Sequence, residues 1–169
     1  MNKLMILGAG GYGRTVADIA EQSGYTVFFL DDNSPDAVGK LEDYINYKDC
    51  KIIPAFGNNE LRLKWCKQLE ENGFELATLI HTTAYVSPKA ILHRGVVILP
   101  HAVVNTDVEI QIGCIVNIGA LVDHGCILEA GVHIAPGAIV KGENRISVGT
   151  KIESGEVIAL RQYPIAREL

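Results

Sequence analysis

The chain has 169 residues, a net charge of −5 and 48% hydrophobic residues, enough apolar side chains for one domain or two small ones. Lysines and arginines form no run along the sequence, which argues against a nucleic-acid-binding surface. The apolar stretch after Lys3 ends at Gly8, too soon for a signal peptide or a membrane span. We therefore expect a cytoplasmic protein without nucleic-acid or membrane partners.

A glycine-rich turn opens the first predicted domain. The spacing predicts a strand over residues 3–7, the turn over 8–13 and a helix over 14–22. Without a Cβ, the backbone can approach a phosphate or a ribose closely, and the first amides of the helix then face the anion. The pattern predicts a nucleotide-binding turn, although a tight turn without a ligand has the same signature.

Two acidic residues follow the second predicted strand. This strand covers residues 25–30 and ends at Asp31 and Asp32, about twenty positions after the glycines, where dinucleotide folds place the carboxylate that binds a ribose hydroxyl. Further on, the pattern predicts a strand over 51–56, a helix over 61–71 and a strand over 76–80. This Rossmann-like βαβαβ domain, residues 1–82, contains only one mononucleotide-binding half. It therefore indicates a mononucleotide or a nucleotide-linked sugar, and it argues against an NAD-dependent oxidoreductase.

From residue 86 the hydrophobic period changes to six. A large aliphatic residue stands at every sixth position: Val86, Leu92, Ile98, Val104, Ile110, Val116, Val122, Leu128, Ile134, Val140, Ile146, Ile152 and Ile158. A second column, four positions after each, is small or short over most of the run, and glycine usually precedes it, with exceptions at Lys89, His101, Asp107 and Glu143. The period predicts an all-β parallel β-helix over residues 83–169, with its handedness left open. Such a short solenoid favours association with copies of itself.

The four cysteines, at positions 50, 66, 114 and 126, show no spacing typical of zinc ligands or of a redox motif. Cys114 and Cys126 fall in the small column of the repeats, so we expect them to pack as core residues. Free thiols fit a reducing compartment, and we expect no bound metal.

Together these motifs resemble the hexapeptide-repeat acyltransferases that acetylate bacillosamine-type amino sugars or sialic acid. The resemblance covers nearly the whole chain and rests on GAGGYGR in the first turn, FLDD at 29–32, FGNNELR at 56–62, LIH at 79–81 with VSPKA after it, and NIGALVDHGC and GVHIAPGA in the repeats. It implies a left-handed β-helix, against the usual right-handed crossover, and a homotrimer with active sites between neighbouring helices. It also implies that the N-terminal domain binds the nucleotide or sugar part of the acceptor, while acetyl-CoA, the co-substrate, lies along the β-helix.

The resemblance assigns candidate site residues as well. His124, which the six-residue frame points outward before a corner glycine, matches the general base, and an imidazole titrates near working pH. Asp123 is the candidate for orienting that imidazole. The positions matched to acceptor binding are Gly10, Gly11, Tyr12, Asp31, Asp32 and Asn117, and those matched to the acetyl group or the cofactor are His133 and Gly142. We expect direct transfer to an amine or a hydroxyl, because no cysteine or serine is flanked by a base.

Three positions depart from the family pattern. Gly125 follows the base where an acidic residue is usual, and Tyr12 replaces the usual histidine of the glycine-rich turn. The family normally adds several regular coils after residue 138, whereas here the repeats become irregular at 142–145 and only two further repeats follow. Because the missing coils would carry the CoA arm, the alternative is a non-catalytic relative that binds a sugar nucleotide or acts as a scaffold.

Overall fold

The computed structural model describes residues 2–165, which form two compact units with the boundary after Leu79. The sequence places this boundary after residue 82. The last four residues of the second predicted domain, 166–169, lie outside the described residues. No helix within residues 2–165 has the length and apolar character needed to cross a bilayer.

The first unit is a small α/β fold. Its elements are β1 Asn2–Leu7, α1 Gly11–Gln22, β2 Tyr25–Leu30, a 3₁₀ helix Leu41–Asn46, β3 Lys51–Pro54 and α2 Asn59–Glu71. The three strands are parallel in the order β2-β1-β3, and Leu7 pairs with Leu30 on one side and with Pro54 on the other. The central strand β1 is buried from Leu4 to Leu7, as expected of a short, continuous apolar run in a parallel sheet.

The predicted fourth strand of this unit, residues 76–80, is wrong. Leu76 makes a single parallel bridge to Ile52, held by hydrogen bonds from Ile52 N to Glu75 O and from Ala77 N to Ile52 O. After this bridge the chain leaves the three-stranded sheet. The strand that follows, β4, covers Leu79–Ile80 and belongs to a sheet of the solenoid. An apolar run alone does not tell which sheet its backbone joins.

The second unit is a solenoid of two-residue parallel strands on three faces. Face 1 carries β4 Leu79–Ile80, β7 Val97–Ile98, β10 Ile115–Val116, β13 His133–Ile134 and β16 Lys151–Ile152. Face 2 carries β5 Tyr85–Val86, β8 Val103–Val104, β11 Leu121–Val122, β14 Ile139–Val140 and β17 Val157–Ile158. Face 3 carries β6 Ile91–Leu92, β9 Glu109–Ile110, β12 Ile127–Leu128 and β15 Arg145–Ile146. Paired residues such as Val104 and Val122 are eighteen positions apart, so one coil consists of three repeats.

The core of the solenoid consists of the two predicted columns. The aliphatic column is buried from Ile98 to Ile158, and Cys114 and Cys126 are fully buried in the small column. All four cysteines are free and buried. Each apolar residue therefore packs on its equivalent in the next coil, which is how stacked repeats bury a core that a single repeat cannot.

The corner residues explain the glycine pattern. His101, Asp107 and Glu143 adopt the left-handed conformation that glycine has at other corners, with φ between 57° and 58°. Lys89, which occupies the same position of its repeat, does not. Three of the four exceptions thus keep the corner geometry, at a steric cost of about 1 kcal/mol for each side chain.

The predicted irregularity at 142–145 does not interrupt the coil. Arg145 and Ile146 of β15 pair in register with Ile127 and Leu128. Asn144 takes an inward position, fully buried, and its amide donates to Lys141 O at 2.7 Å and to Ala159 O at 2.9 Å, while its Oδ1 accepts the N–H of Tyr163. These bonds hold the chain after β17 against the last coil, so the polar residue is satisfied inside the core.

Candidate active site

The carboxyl ends of β1, β2 and β3 line an open groove of about 490 Å³ in the first unit. Gly10 and Gly11 follow β1, Asp31 follows β2, and Phe56 follows β3. β2 and β3 lie on opposite sides of β1, so the strand order reverses at β1. Ligands of open α/β sheets bind at the carboxyl ends of the strands beside such a reversal. A Cβ on Gly10 or Gly11 would meet no atom within 4 Å, so the space beside the turn is open. The structure thus brings together the predicted glycines and Asp31.

Close packing explains the last glycine of the turn. A Cβ on Gly13 would overlap the carbonyl oxygen of Gly8, so α1 approaches the end of β1 only because residue 13 is glycine. At the start of α1, Gly10 provides no side-chain cap. The first amides of this helix are therefore available to an anionic group of a ligand in the groove.

Asp31 ties the end of β2 to the glycine-rich turn. Its Oδ2 accepts the N–H of Ala9 and its Oδ1 accepts that of Asn33, both at 2.8 Å. The hydrogen bond from Ala9 is the main reason why the pKa of Asp31 lies below its ordinary value. Asp32 uses Oδ1 to accept the N–H of Leu41 at 3.0 Å. Asp31 therefore shapes the turn, whatever it binds.

Tyr12 turns its hydroxyl into the protein. The hydroxyl oxygen is buried and has no hydrogen-bond partner within residues 2–165. Burial raises the pKa of Tyr12, while the Arg62 guanidinium acts in the opposite direction. Arg62 is itself buried and donates to Phe56 O at 2.9 Å. A ligand in the groove would consequently meet the ring and backbone of Tyr12 rather than its hydroxyl.

His124 lies at the corner after β11, on the second unit. Its side chain is 48% exposed, and its ring rests over Gly142, one coil further along. A Cβ on Gly142 would come within 2.7 Å of Nε2, closer than real Cβ contacts. The imidazole can occupy this place only because residue 142 is glycine. The structure thus joins His124 and Gly142, two of the sequence-predicted residues.

Asp123 lies beside this imidazole without bonding to it. Its Oδ1 accepts the backbone N–H of His124 at 2.7 Å, and its Oδ2 is 4.0 Å from Nε2 of the ring. Burial would raise the pKa of Asp123, but hydrogen bonds from the His124 amide and the Asn105 side chain outweigh it, and the pKa lies below its ordinary value. An ionised carboxylate therefore faces an imidazole at ion-pair distance.

Asn117 and His133 form a separate pair on face 1. Asn117 Oδ1 accepts the N–H of Ile118 at 2.8 Å, which fixes the amide so that Nδ2 points to His133 Nε2 at 3.0 Å. In this arrangement Nε2 accepts, and the neutral imidazole carries its proton on Nδ1. This pair follows β10 and opens β13, whereas His124 follows β11 on face 2. One chain thus presents two groups of candidate residues on different parts of the solenoid.

Known proteins match both units. The PglD N-terminal domain family matches residues 3–69. The acetyltransferase domain of PglB from Neisseria gonorrhoeae FA1090 is 38% identical, with a TM-score of 0.90 over 93% of this chain and 82% of that chain. The chain belongs to the hexapeptide-repeat sugar acetyltransferases. The same PglB domain has also been solved in complex with acetyl coenzyme A, with a TM-score of 0.87.

Two more distant solved structures share this fold. GDP-perosamine N-acetyl transferase from Caulobacter crescentus, in complex with CoA and GDP-perosamine, is 22% identical, with a TM-score of 0.68 over 94% of this chain and 91% of that one. WeeI from Acinetobacter baumannii AYE is 18% identical, with a TM-score of 0.75 over 97% and 94% of the two chains. The predicted fold, a Rossmann-like α/β domain followed by a left-handed parallel β-helix, is confirmed. Family membership also favours the acetyltransferase over the non-catalytic alternative.

Two features of this acetyltransferase escaped the sequence analysis. One is a second cavity of about 480 Å³ in the first unit, lined by Asp32, Lys40, Leu41, Glu42, Tyr44, Trp65 and Gln68. Trp65, the only tryptophan, stacks on Phe56 of the first groove with ring centroids 6.4 Å apart. The other is Asn105, which donates to Asp123 at 2.9 Å. Its position one coil before Asp123 is a sequence signal that could have revealed it.

Proposed function

We propose that the protein transfers the acetyl group of acetyl-CoA to an amine or a hydroxyl of a nucleotide-linked amino sugar or of sialic acid, with His124 as the general base. The observation that carries this proposal is the His124 imidazole, half exposed at a corner, seated on Gly142 and 4.0 Å from the Asp123 carboxylate. An exposed ring can reach a substrate, and a carboxylate at this distance stabilises the imidazolium that forms once the ring has taken a proton.

The transfer needs one proton acceptor and no covalent intermediate on the protein. The acceptor nitrogen or oxygen attacks the thioester carbonyl carbon while His124 takes its proton. The tetrahedral intermediate then expels the CoA thiolate, which receives that proton from the imidazolium. The oxyanion has to be stabilised by hydrogen-bond donors other than the amides of His124, Gly125 and Glu143, because these already donate to Asp123 Oδ1, Thr106 O and His124 O. Asp123, at ion-pair distance, stabilises the imidazolium while it exists.

The groove of the first unit is the place for the nucleotide part of the acceptor. Its open glycine-rich turn and the uncapped start of α1 suit a phosphate, and the Asp31 carboxylate suits a ribose or sugar hydroxyl. Asp32 lines the second cavity of this unit, where it suits a hydroxyl of the same acceptor. Matches to enzymes solved with acetyl coenzyme A, or with CoA and GDP-perosamine, support acetyl-CoA as the co-substrate and a nucleotide sugar as the acceptor.

A homotrimer is part of this proposal, because an apolar column runs along face 2. Its outward residues are Tyr85, Val103, Leu121, Ile139 and Val157. Tyr85 and Val157 are 56% and 51% exposed, and the others are partly exposed. The outward columns of the other faces include charged residues such as Lys151 on face 1 and Glu109 on face 3. Association through face 2 would bury this column, and the Asn117 and His133 pair of one subunit would serve the His124 of another.

We also place the enzyme in the cytoplasm. Nucleotide sugars and acetyl-CoA are intracellular metabolites, and the four cysteines are unpaired thiols, as a reducing compartment requires.

The test is an acetyl-transfer assay with acetyl-CoA and a panel of UDP-linked and GDP-linked amino sugars and sialic acid, in which a thiol reagent records released CoA. We expect turnover with at least one acceptor. His124→Ala should reduce kcat by about 10²-fold or more, because general base catalysis contributes about 10²- to 10⁴-fold. The matched control is His93→Ala, which removes another exposed histidine, paired with Glu109 on face 3. It should leave kcat unchanged.

Two outcomes would contradict the proposal. Equal rates for the wild type and His124→Ala would exclude His124 as the base. If calorimetry shows no saturable binding of acetyl-CoA to the wild type, the result would instead favour the alternative, a non-catalytic protein that binds a sugar nucleotide or acts as a scaffold.

A further inference from the structure

Asn105 and Asp123 form a polar ladder next to the His124 corner. Both residues directly follow strands of face 2, β8 and β11, which pair in register through Val104 and Val122. The amide nitrogen of Asn105 donates to Asp123 Oδ1 at 2.9 Å. Asn105 thus contacts, from the preceding coil, the carboxylate that faces the imidazole.

The direction of the Asn105 amide is fixed by its other end. Its Oδ1 accepts the N–H of Thr106 at 2.8 Å, so the amide nitrogen has to point to Asp123. Asp123 Oδ1 then receives two N–H donors, from Asn105 and from its neighbour His124. With Oδ1 held in this way, Oδ2 is the oxygen left facing the imidazole, at 4.0 Å from Nε2.

We propose that Asn105 is a positioning residue for acetyl transfer, which holds Asp123 so that its Oδ2 stabilises the imidazolium of His124. This inference rests on the proposed role of His124 as the base. Without the Asn105 donor, the Asp123 carboxylate keeps only the backbone N–H groups of His124 and Gly142 and loses the side chain that fixes its orientation from the preceding coil. The lowered pKa of Asp123 keeps this carboxylate charged at the pH of the reaction.

Other charged groups near this corner do not replace Asp123. Glu143 lies beside the corner, where its Cγ would be 3.6 Å from a Cβ on Gly125. Both its carboxylate oxygens are held by Arg161, at 2.8 Å and 2.9 Å, so its charge is balanced. Lys141 occupies the position equivalent to Asp123 in the next coil and is exposed. Asp123 is therefore the carboxylate whose placement decides the charge facing the imidazole.

The experiment is the pH profile of kcat/KM for the wild type, Asn105→Ala, Asp123→Asn and the double variant. We expect Asn105→Ala to lower kcat about fivefold, the effect of one lost hydrogen bond, with the KM for acetyl-CoA unchanged. The acidic limb of the profile should move to lower pH, because a less favourable imidazolium forms only at higher proton concentration. Since Asn105 acts through Asp123, the double variant should match Asp123→Asn alone.

Controls separate positioning from stability. Gln111→Ala removes the equivalent polar residue of face 3, whose side chain accepts the N–H of Ala130 at 3.2 Å, and it should leave the profile unchanged. Asn105→Leu keeps nearly the same side-chain shape and should repeat the result of Asn105→Ala even if the smaller variant folds poorly.

The possible failures are distinguishable. Activity that survives His124→Ala defeats the proposed function itself. If His124→Ala is inactive but Asn105→Ala keeps the wild-type profile, only the role of Asn105 is refuted. Additive losses in the double variant, or an equal loss in Gln111→Ala, would also refute it, because both indicate a structural effect.

Discussion

At the scale of single residues, Asp31 is expected to contribute more to stability than to ligand binding. Asp31→Asn replaces an acceptor oxygen by a donor, so one backbone N–H, of Ala9 or of Asn33, loses its partner. We expect a loss of about 1–3 kcal/mol in the unfolding free energy at pH 7. Urea unfolding followed by the fluorescence of Trp65 measures this loss in the first unit.

The pH dependence of this loss has a definite sign. Because the folded state lowers the pKa of Asp31, its stabilisation is complete above the ordinary value of 3.8 and fades as the pH falls through the lower folded value. The difference between wild type and variant should therefore shrink in acid. Asp36→Asn is the control, since within residues 2–165 the Asp36 carboxylate is paired with exposed Arg14, and it should change stability by less than about 0.5 kcal/mol. A weakened acceptor affinity without any loss of stability would contradict this view of Asp31.

At this scale the sequence predicts which residues lie near one another, but it does not predict the geometry of their side chains. That Gly142 meets His124 follows from the period, because eighteen residues make one coil. That Asp123 bonds to the backbone of His124 and not to its ring depends on rotamers, which the period does not determine. Tyr12 is similar, since nothing in GAGGYGR shows that its hydroxyl is buried.

At the scale of the repeat, corners provide a test of backbone conformation. His101 is exposed and has a φ of 58°, whereas exposed Lys89 occupies a corner without a positive φ. We expect His101→Gly to stabilise the solenoid by about 0.5–1 kcal/mol, since it removes a Cβ from a left-handed position. Lys89→Gly should destabilise it by a similar amount, about 0.5–1 kcal/mol, because glycine only adds flexibility there. Calorimetric unfolding measures both, and shifts of the same sign would contradict the argument.

Elements were predicted best where one spacing dominates. Every predicted aliphatic position from Val86 to Ile158 lies on a strand that pairs in register, because the two apolar columns leave one way to stack. The prediction of a fourth strand in the first unit is wrong because residues 76–80 form one apolar run. Which sheet such a run joins depends on contacts with residues distant in sequence. Asn144 also interrupts the predicted pattern, because it is a polar residue in the small column. The sequence does not show that three backbone groups form hydrogen bonds with its side chain inside the core.

At the scale of the whole molecule, the sequence determined the two-domain architecture but not the surfaces that join copies. The inward columns are defined by the period, whereas the outward residues vary from face to face. The period places Tyr85, Val103, Leu121, Ile139 and Val157 one coil apart, and the structure shows that they form a partly exposed apolar column on one face. An exposed apolar column of this length is typical of an interface between subunits.

Leu121→Glu tests this interface. Leu121 lies mid-column, between Val103 and Ile139, and points outward, so the variant should fold normally but place a charge in the buried contact. Sedimentation velocity should show a trimer for the wild type and a monomer for the variant, because burying an unpaired carboxylate costs several kcal/mol, on the order of 3 or more. Ile127→Glu is the matched control on face 3, where Glu109 and Arg145 flank the outward isoleucine, and it should remain trimeric. If the active sites lie between subunits, Leu121→Glu should lose acetyl transfer together with the trimer, and Ile127→Glu should keep both. If Leu121→Glu remains trimeric, the subunit interface lies on a face other than face 2.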